Sequence, residues 1–191
     1  NMDVSNVFET AVEQSALKSL IGEGEASIFN QGDWVGSLTD IEETSGYWVS
    51  FEALDRDFNM VGKETQCDET IYDLHWGKNL ISYVGPNGTS IEDAIPEEFA
   101  HIIDDIQGAS EAAVSIEGAG WVGSLDALYK NSGYWVTVNH SNQYLESIDF
   151  QWACSDDDVA GRGSYGRSFS FQDLPTEFSF EQSMTQAFYF I

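Results

Sequence analysis

Internal repetition constrains this chain more than any other feature. Residues 34–49 read WVGSLTDIEETSGYWV and residues 121–136 read WVGSLDALYKNSGYWV, an ungapped match at an offset of 87 residues. Trp34 falls on Trp121, Gly36 on Gly123, Leu38 on Leu125 and Gly46 on Gly133, and Tyr47-Trp48-Val49 falls on Tyr134-Trp135-Val136. The same offset lays Asp3-Val4 on Ser90-Ile91, Val7-Phe8 on Ala94-Ile95, Val12 on Phe99 and Cys67 on Cys154. Repetition of this kind predicts a tandem duplication, so the fold must be one that two copies of a small unit can build.

The second copy gives the unit its expected plan. Asn79-Leu80-Ile81-Ser82-Tyr83-Val84 is a β-rich run that stops at the turn cluster Gly85-Pro86-Asn87-Gly88. Ser90, with Asp93 three residues on, opens a helix as a variant of the capping box. Ile91, Ala94, Ile95, Phe99, Ile102, Ile103 and Ile106 recur at helical spacing as far as Gly108, with Pro96 either starting or breaking the helix. Ala112–Ile116, Gly133–Val138 and Ile148–Trp152 read as strands, and Gly118–Gly123 as a turn region holding Trp121. In the first copy Asp3 caps a helix whose apolar face is Val4, Val7, Phe8, Ala11, Val12, Leu17 and Leu20 and which Gly22 and Gly24 close. Ala26–Phe29 and Tyr47–Phe51 follow as strands. The predicted class is α+β: a tandem duplication of a small, mainly antiparallel sheet with one covering helix, and a β-rich C-terminal segment. The expected divisions are 1–72 for the first unit without its first strand, 73–153 for the second, and 154–191 for a segment that completes a sheet in the same or a neighbouring chain.

The first-copy counterpart of Leu80–Val84 would lie ahead of Asn1, so the first sheet is expected to borrow a strand. Phe178–Gln182 and the run Gln186, Ala187, Phe188, Tyr189, Phe190, Ile191 are β-prone, and the latter resembles Asn79–Val84 in length and texture. An apolar strand with an unpaired edge invites pairing. Three arrangements stay open: the strand folds back within its chain, it completes the next chain in a head-to-tail polymer, or the chain is cut from a longer protein. Asn1-Met2-Asp3 lacks the order of regions of a secretion signal, which suits a mature product or a piece of something longer.

Composition narrows the partners. Seven Lys plus Arg stand against 33 Asp plus Glu, a formal net charge of −26, while 42% hydrophobic and 14% aromatic residues supply a core and argue against disorder. Nucleic acid needs a basic footprint that this chain lacks, and an anionic membrane surface would repel it. No apolar run approaches the roughly 20 residues that membrane insertion needs. Dense carboxylates suit a salty, extracellular setting, where ions screen their self-repulsion. Cys67 and Cys154 form either one bridge or two free thiols.

No arrangement for chemistry stands out. His75, His101 and His140 are scattered, with His101 on the expected helix, and no HExxH, CxxC, GxSxG or P-loop pattern occurs. Gly161 and Gly163 read as turn glycines, and Arg162 and Arg167 are a weak anion signal. A glycosidase pair among 33 acids is not excluded by sequence. Calcium is the one credible inorganic partner, because Asp55-x-Asp57-x-Asn59 opens like an oxygen-ligand loop. Met60 occupies the glycine position, however, and no Glu closes the loop; this segment and Asp156-Asp157-Asp158 both read as solvated acidic loops. The repeated Trp34, Trp48, Trp121 and Trp135 are core anchors or sugar-stacking platforms. Core packing is expected for Trp48 and Trp135, and Trp34 and Trp121 are the candidate carbohydrate-stacking residues.

His75-Trp76-Gly77-Lys78-Asn79-Leu80-Ile81-Ser82-Tyr83, Gly120-Trp121-Val122-Gly123-Ser124-Leu125 and Ser132-Gly133-Tyr134-Trp135-Val136 together resemble a repeat found in large secreted and surface proteins of environmental, often marine, bacteria. The tail Phe180–Phe190 is similar to a segment that often follows such repeats. The resemblance covers nearly the whole chain. It implies location and modularity, with further sequence after the tail, and brings no catalytic residues. The expected function is therefore a non-enzymatic structural or adhesive module of an extracellular assembly, on a cell or virion surface, that associates with itself or sits in a larger parent protein. The alternative is a glycan-binding module using the repeated Trp residues.

Overall fold

The computed structural model describes residues 2–9, 17–51, 65–139 and 147–154. In the first unit these are β1 (Met2–Asp3), α1 (Val4–Val7), β2 (Leu17–Ile21), β3 (Ala26–Asn30), β4 (Asp33–Gly36), β5 (Asp40–Ile41) and β6 (Trp48–Phe51). A 3-10 turn at Cys67–Glu69 leads to β7 (Tyr72–His75), β8 (Gly77–Ser82), β9 (Thr89–Ser90), α2 (Ile91–Ala94), β10 (Ile103–Gln107), β11 (Ala112–Ile116), β12 (Gly120–Gly123), β13 (Ala127–Leu128), β14 (Gly133–Val138) and β15 (Ser147–Phe150). The molecule is mainly antiparallel β. One sheet has the order β4-β3-β2-β6, the other β12-β11-β10-β14-β8, and β1–β5, β9–β13 and β7–β15 are separate two-stranded ladders.

The two sheets share their register. Ser27 faces Gly36 and Phe29 faces Trp34, as Ala113 faces Gly123 and Ser115 faces Trp121. Leu20 opposes Val49, as Ile106 opposes Val136. Met2 and Asp3 face Ile41 and Asp40, as Thr89 and Ser90 face Leu128 and Ala127. The hairpin loops differ by one residue, Gln31-Gly32 against Glu117-Gly118-Ala119, without disturbing the pairing on either side.

The long covering helix expected at 90–106 is a single turn, Ile91–Ala94, with a strand from Ile103; of the one expected at 4–20, Val4–Val7 is helical and Leu17–Leu20 is strand, and Ala11 and Val12 lie outside the described residues. Asp3 Oδ1 accepts from Ser5 N at 2.8 Å, and Ser90 Oγ accepts from Asp93 N at 3.1 Å, so both caps form. α2 then stops at once, because Ile95, immediately before Pro96, is held extended (φ −98°, ψ 118°). The helix-like spacing beyond it has another cause. β2 and β10 each carry a register shift at the same place, between Leu17 and Ser19 and between Ile103 and Asp105. A bulge adds one residue, so positions three apart face the same side of a strand. Leu17 with Leu20, and Ile103 with Ile106, therefore all point inward and are buried.

Gly118–Gly123 is likewise not a loose turn region: Gly120–Gly123 is β12, hairpin partner of β11. The two glycines of the matching Trp-Val-Gly motifs are needed because a Cβ on Gly36 or Gly123 would overlap the carbonyl oxygen of Ala26 or Ala112 on the neighbouring strand. Within Gly-Tyr-Trp-Val the faces are the reverse of the expectation. Tyr47 and Tyr134 pack on the cores, and Trp48 and Trp135 lie half-buried on the other face. Tyrosine suits the inward position because its hydroxyl accepts a backbone bond from the preceding turn, Glu42 N at 2.9 Å and Tyr129 N at 3.0 Å.

The first core is Val4, Phe8, Leu17, Leu20 and Leu38. The second is larger and aromatic: Phe150 and Trp152 meet edge-on at 4.9 Å, and Trp152 meets Tyr83 at 5.2 Å. Trp152 Nε1 donates to Ser82 O at 3.0 Å. Burial pushes the Tyr72 hydroxyl up to about 12. Cys67 and Cys154 are disulfide-bonded with their Cα atoms 5.9 Å apart, which resolves the two alternatives for these cysteines. The bridge joins the turn just before β7 to the residues just after β15.

Candidate functional site: the joint between the two sheets

The two sheets meet through a set of backbone and side-chain contacts at β8. β8 uses both edges. Along one it pairs with all of β14, from Gly133 opposite Ser82 to Val138 opposite Gly77. On the other it meets the segment leading into β6: Gly46 N donates to Leu80 O at 2.9 Å, Ser82 N donates to Thr44 O at 3.1 Å, and Ser45 bridges to Ile81. Ser82 Oγ adds a bond to Glu43 O at 2.7 Å. The glycines of the two Gly-Tyr-Trp-Val motifs, Gly46 and Gly133, both sit here. A Cβ on Gly133 would stand 3.2 Å from Gly46 Cα, and one on Gly46 would stand 3.0 Å from Ile81 O.

The turn Gly22–Glu25 supplies an ionic clasp. Glu23 accepts from Leu80 N through Oε2 at 2.7 Å, and its Oε1 lies 2.5 Å from His75 Nε2. His75 Nδ1 lies 2.8 Å from Trp76 O. Both ring nitrogens thus face oxygen acceptors, an arrangement that only the doubly protonated imidazolium satisfies with two donors. The Trp76 carbonyl, then the Glu23 carboxylate, raise the His75 pKa above its usual 6.5. Leu80, 3% exposed, belongs to neither core and is covered at this joint.

Beside the joint lies an open cleft of about 340 Å³, lined by Tyr47 and Trp48 of the first unit, by Gly108–Glu111, Leu125 and Ser132–Tyr134 of the second, and by Leu80. The turn Gly108–Glu111 holds the same place in its sheet as Gly22–Glu25, each closed by the same bond, Gly22 N to Glu25 O and Gly108 N to Glu111 O. Ala109 stands where the first unit has Glu23.

Trp34 and Trp121 are not freestanding platforms. Strand alternation turns both inward, half-buried against the cores, while Val35 and Val122 point out. Trp34 meets Phe29 edge-on at 5.5 Å and Phe8 at 6.3 Å, so its ring is already partnered. The outward positions are aliphatic: Ile28 and Val35 are a cross-strand pair 51% and 56% exposed, and the matching Val114 and Val122 are each 49% exposed.

His101 is exposed in the turn before β10, not on a helix. Among the described residues no three metal-ligating side chains gather. The Asp55-x-Asp57-x-Asn59 and Asp156–Asp158 loops, His140, Arg162, Arg167 and the strand Gln186–Ile191 lie outside the described residues. Sequence reading placed none of Glu23, His75 and Leu80 together; the one signal pointing to the joint was the glycine shared by both Ser-Gly-Tyr-Trp-Val motifs. Compared with known proteins, the chain matches no family model, no curated protein and no solved structure.

Proposed function

We propose that this chain is a tandem duplication acting as a non-enzymatic structural and adhesive module of an extracellular surface assembly, in which a borrowed β-strand completes the first sheet. The divisions are 1–72, 73–153 and a completing segment at 154–191, with Gln186–Ile191 as the strand. One observation carries the reading: β8 binds its own sheet along one edge and the first unit along the other, so the two units are joined through strand edges. Beyond β6, in the place that β8 takes beside β14, no strand stands among the described residues.

Other features fit the same role. The Cys67–Cys154 bridge suits an oxidising compartment, and the charge of −26 suits a salty exterior. The outward aliphatic pairs on both hairpins suit protein contact better than sugar stacking, for which aromatic faces are needed. The resemblance to repeats of bacterial surface proteins points the same way.

The test compares the full chain with one ending at Thr185, by solution mass and thermal unfolding. A monomer of the full chain places the strand in its own molecule, and head-to-tail oligomers place it in the neighbour. Either result, with the shortened chain less stable, supports the module. Equal unfolding of the two chains refutes it. A glycan array tests the alternative, which requires retention by the wild type and its loss in Trp34→Ala and Trp121→Ala.

A further inference from the structure

The open cleft at the joint has a filled counterpart, and the comparison says what belongs in it. In the first unit, the turn Gly22–Glu25 and Gly46 receive Leu80 of β8: Glu23 takes its N–H, Gly46 takes its carbonyl, and a Cβ on Gly46 would touch the Leu80 side chain at 3.1 Å. In the second unit, the corresponding turn Gly108–Glu111 and Gly133, with Leu125 and Tyr134, border the cleft. Its far wall is Tyr47 and Trp48, where β6 begins. The glycines Gly46 and Gly133 touch each other, so each unit presents the same corner to the other. A strand lying on β6 as β8 lies on β14 would run through this cleft and be gripped by the second unit as β8 is gripped by the first.

We infer that the cleft is the seat of the completing strand and that its occupant is Gln186–Ile191 of this polypeptide, with Ala187 in the position of Leu80. The inference rests on the proposed strand borrowing and adds its location and the second unit's share in holding it. The occupant follows from the pattern of β8. Asn79, Leu80, Ile81, Tyr83 and Val84 are buried, and Gln186, Ala187, Phe188, Phe190 and Ile191 repeat that order of one amide followed by apolar positions. Asn79 shows what the amide does: its Oδ1 accepts from His75 N and its Nδ2 donates to His75 O, each at 2.9 Å. Gln186 carries the same group. Ala109 stands in place of Glu23, so the seat has no carboxylate at the position that clasps Leu80 N in the first sheet, and Glu111 is the acidic residue on its lining.

The experiment uses the full chain carrying Ala109→Cys and Ala187→Cys, bridged by a short bismaleimide and mapped by mass spectrometry. The expected result is a 109–187 bridge, within one molecule for a strand folded back and between molecules for an exchanged one. A second variant, Ala109→Trp, fills the cleft from an exposed turn position; it should expose Gln186–Ile191 to protease and lower the melting temperature toward that of the chain ending at Thr185. Failure of both, while removal of Gln186–Ile191 still destabilises the protein, overturns this seat and leaves strand borrowing intact. If that removal has no effect either, strand borrowing falls as well.

Discussion

At the scale of single residues, the joint depends on two small features, a proton and a missing methyl. His75 bonds Trp76 O and Glu23 through its two ring nitrogens, and its pKa is raised by that carbonyl and then by the Glu23 carboxylate, with Asp73 the other charge acting on it. A group whose folded pKa is raised contributes its full stabilisation below the unfolded value of 6.5 and loses it as pH rises through the folded value. The joint should therefore be tighter in mild acid than in alkali. Thermal melts across that range should show a loss of stability in the wild type that His75→Gln does not share; equal profiles would remove the clasp from the account. The methyl concerns Gly133, where a Cβ would press on the Gly46 backbone at 3.2 Å. Gly133→Ala should cost on the order of 1–3 kcal/mol, as crowding of a packed contact does, and urea titration measures it. Gly123→Ala should cost more, because its Cβ meets strand backbone that cannot step aside.

Elements show which parts of the fold can be read from sequence. The strands at Ala112–Ile116 and Gly133–Val138 were legible because β-branched and aromatic residues alternate there between turn glycines. The matching register of the two hairpins follows the positions where the sequence repeats, Trp34 with Trp121 and Gly36 with Gly123. The covering helices were not legible. Leu17 with Leu20 and Ile103 with Ile106 stand three apart, a helical interval, yet a bulge at the same place in each strand sets both members facing inward. No periodicity argument separates a bulged strand from a short amphipathic helix. The Glu23–His75–Leu80 contact was illegible for a different reason: Glu23 lies 52 residues from His75 and 57 from Leu80, across the two sheets. The disulfide encloses β7 to β15, closing a loop across 87 residues. Chain-entropy reasoning gives a loop of this size about 4.6 kcal/mol, of which native bridges commonly deliver about 2–4. Reduction with dithiothreitol should therefore lower the melting temperature markedly, and Cys67→Ser with Cys154→Ser should match the reduced wild type in calorimetry.

The whole molecule carries a net charge of −26 on two small cores. Self-repulsion on this scale is screened within roughly 10 Å at 0.1 M salt. Melting temperature should rise from low salt through about 0.5 M sodium chloride and then flatten as screening saturates; a melting point independent of salt would show that the carboxylates are dispersed widely enough not to matter. The two sheets, one built on β2 and the other on β10, pair in matching register, and Gly46 and Gly133 approach each other at their joint.

The position of the disulfide has a mechanical consequence. In the proposed structural role, a pull applied on either side of the bridge would pass from Cys67 to Cys154 through it instead of through the strands between them. The second unit is then shielded from the load, and any lengthening under tension comes from outside that loop, the first unit above all. Cutting the bridge would release about 300 Å of additional chain, at roughly 3.5 Å for each enclosed residue. The span from Cys67 to Cys154 would thus stay inextensible while the bridge holds, and the redox state of one bond would set how far it can stretch.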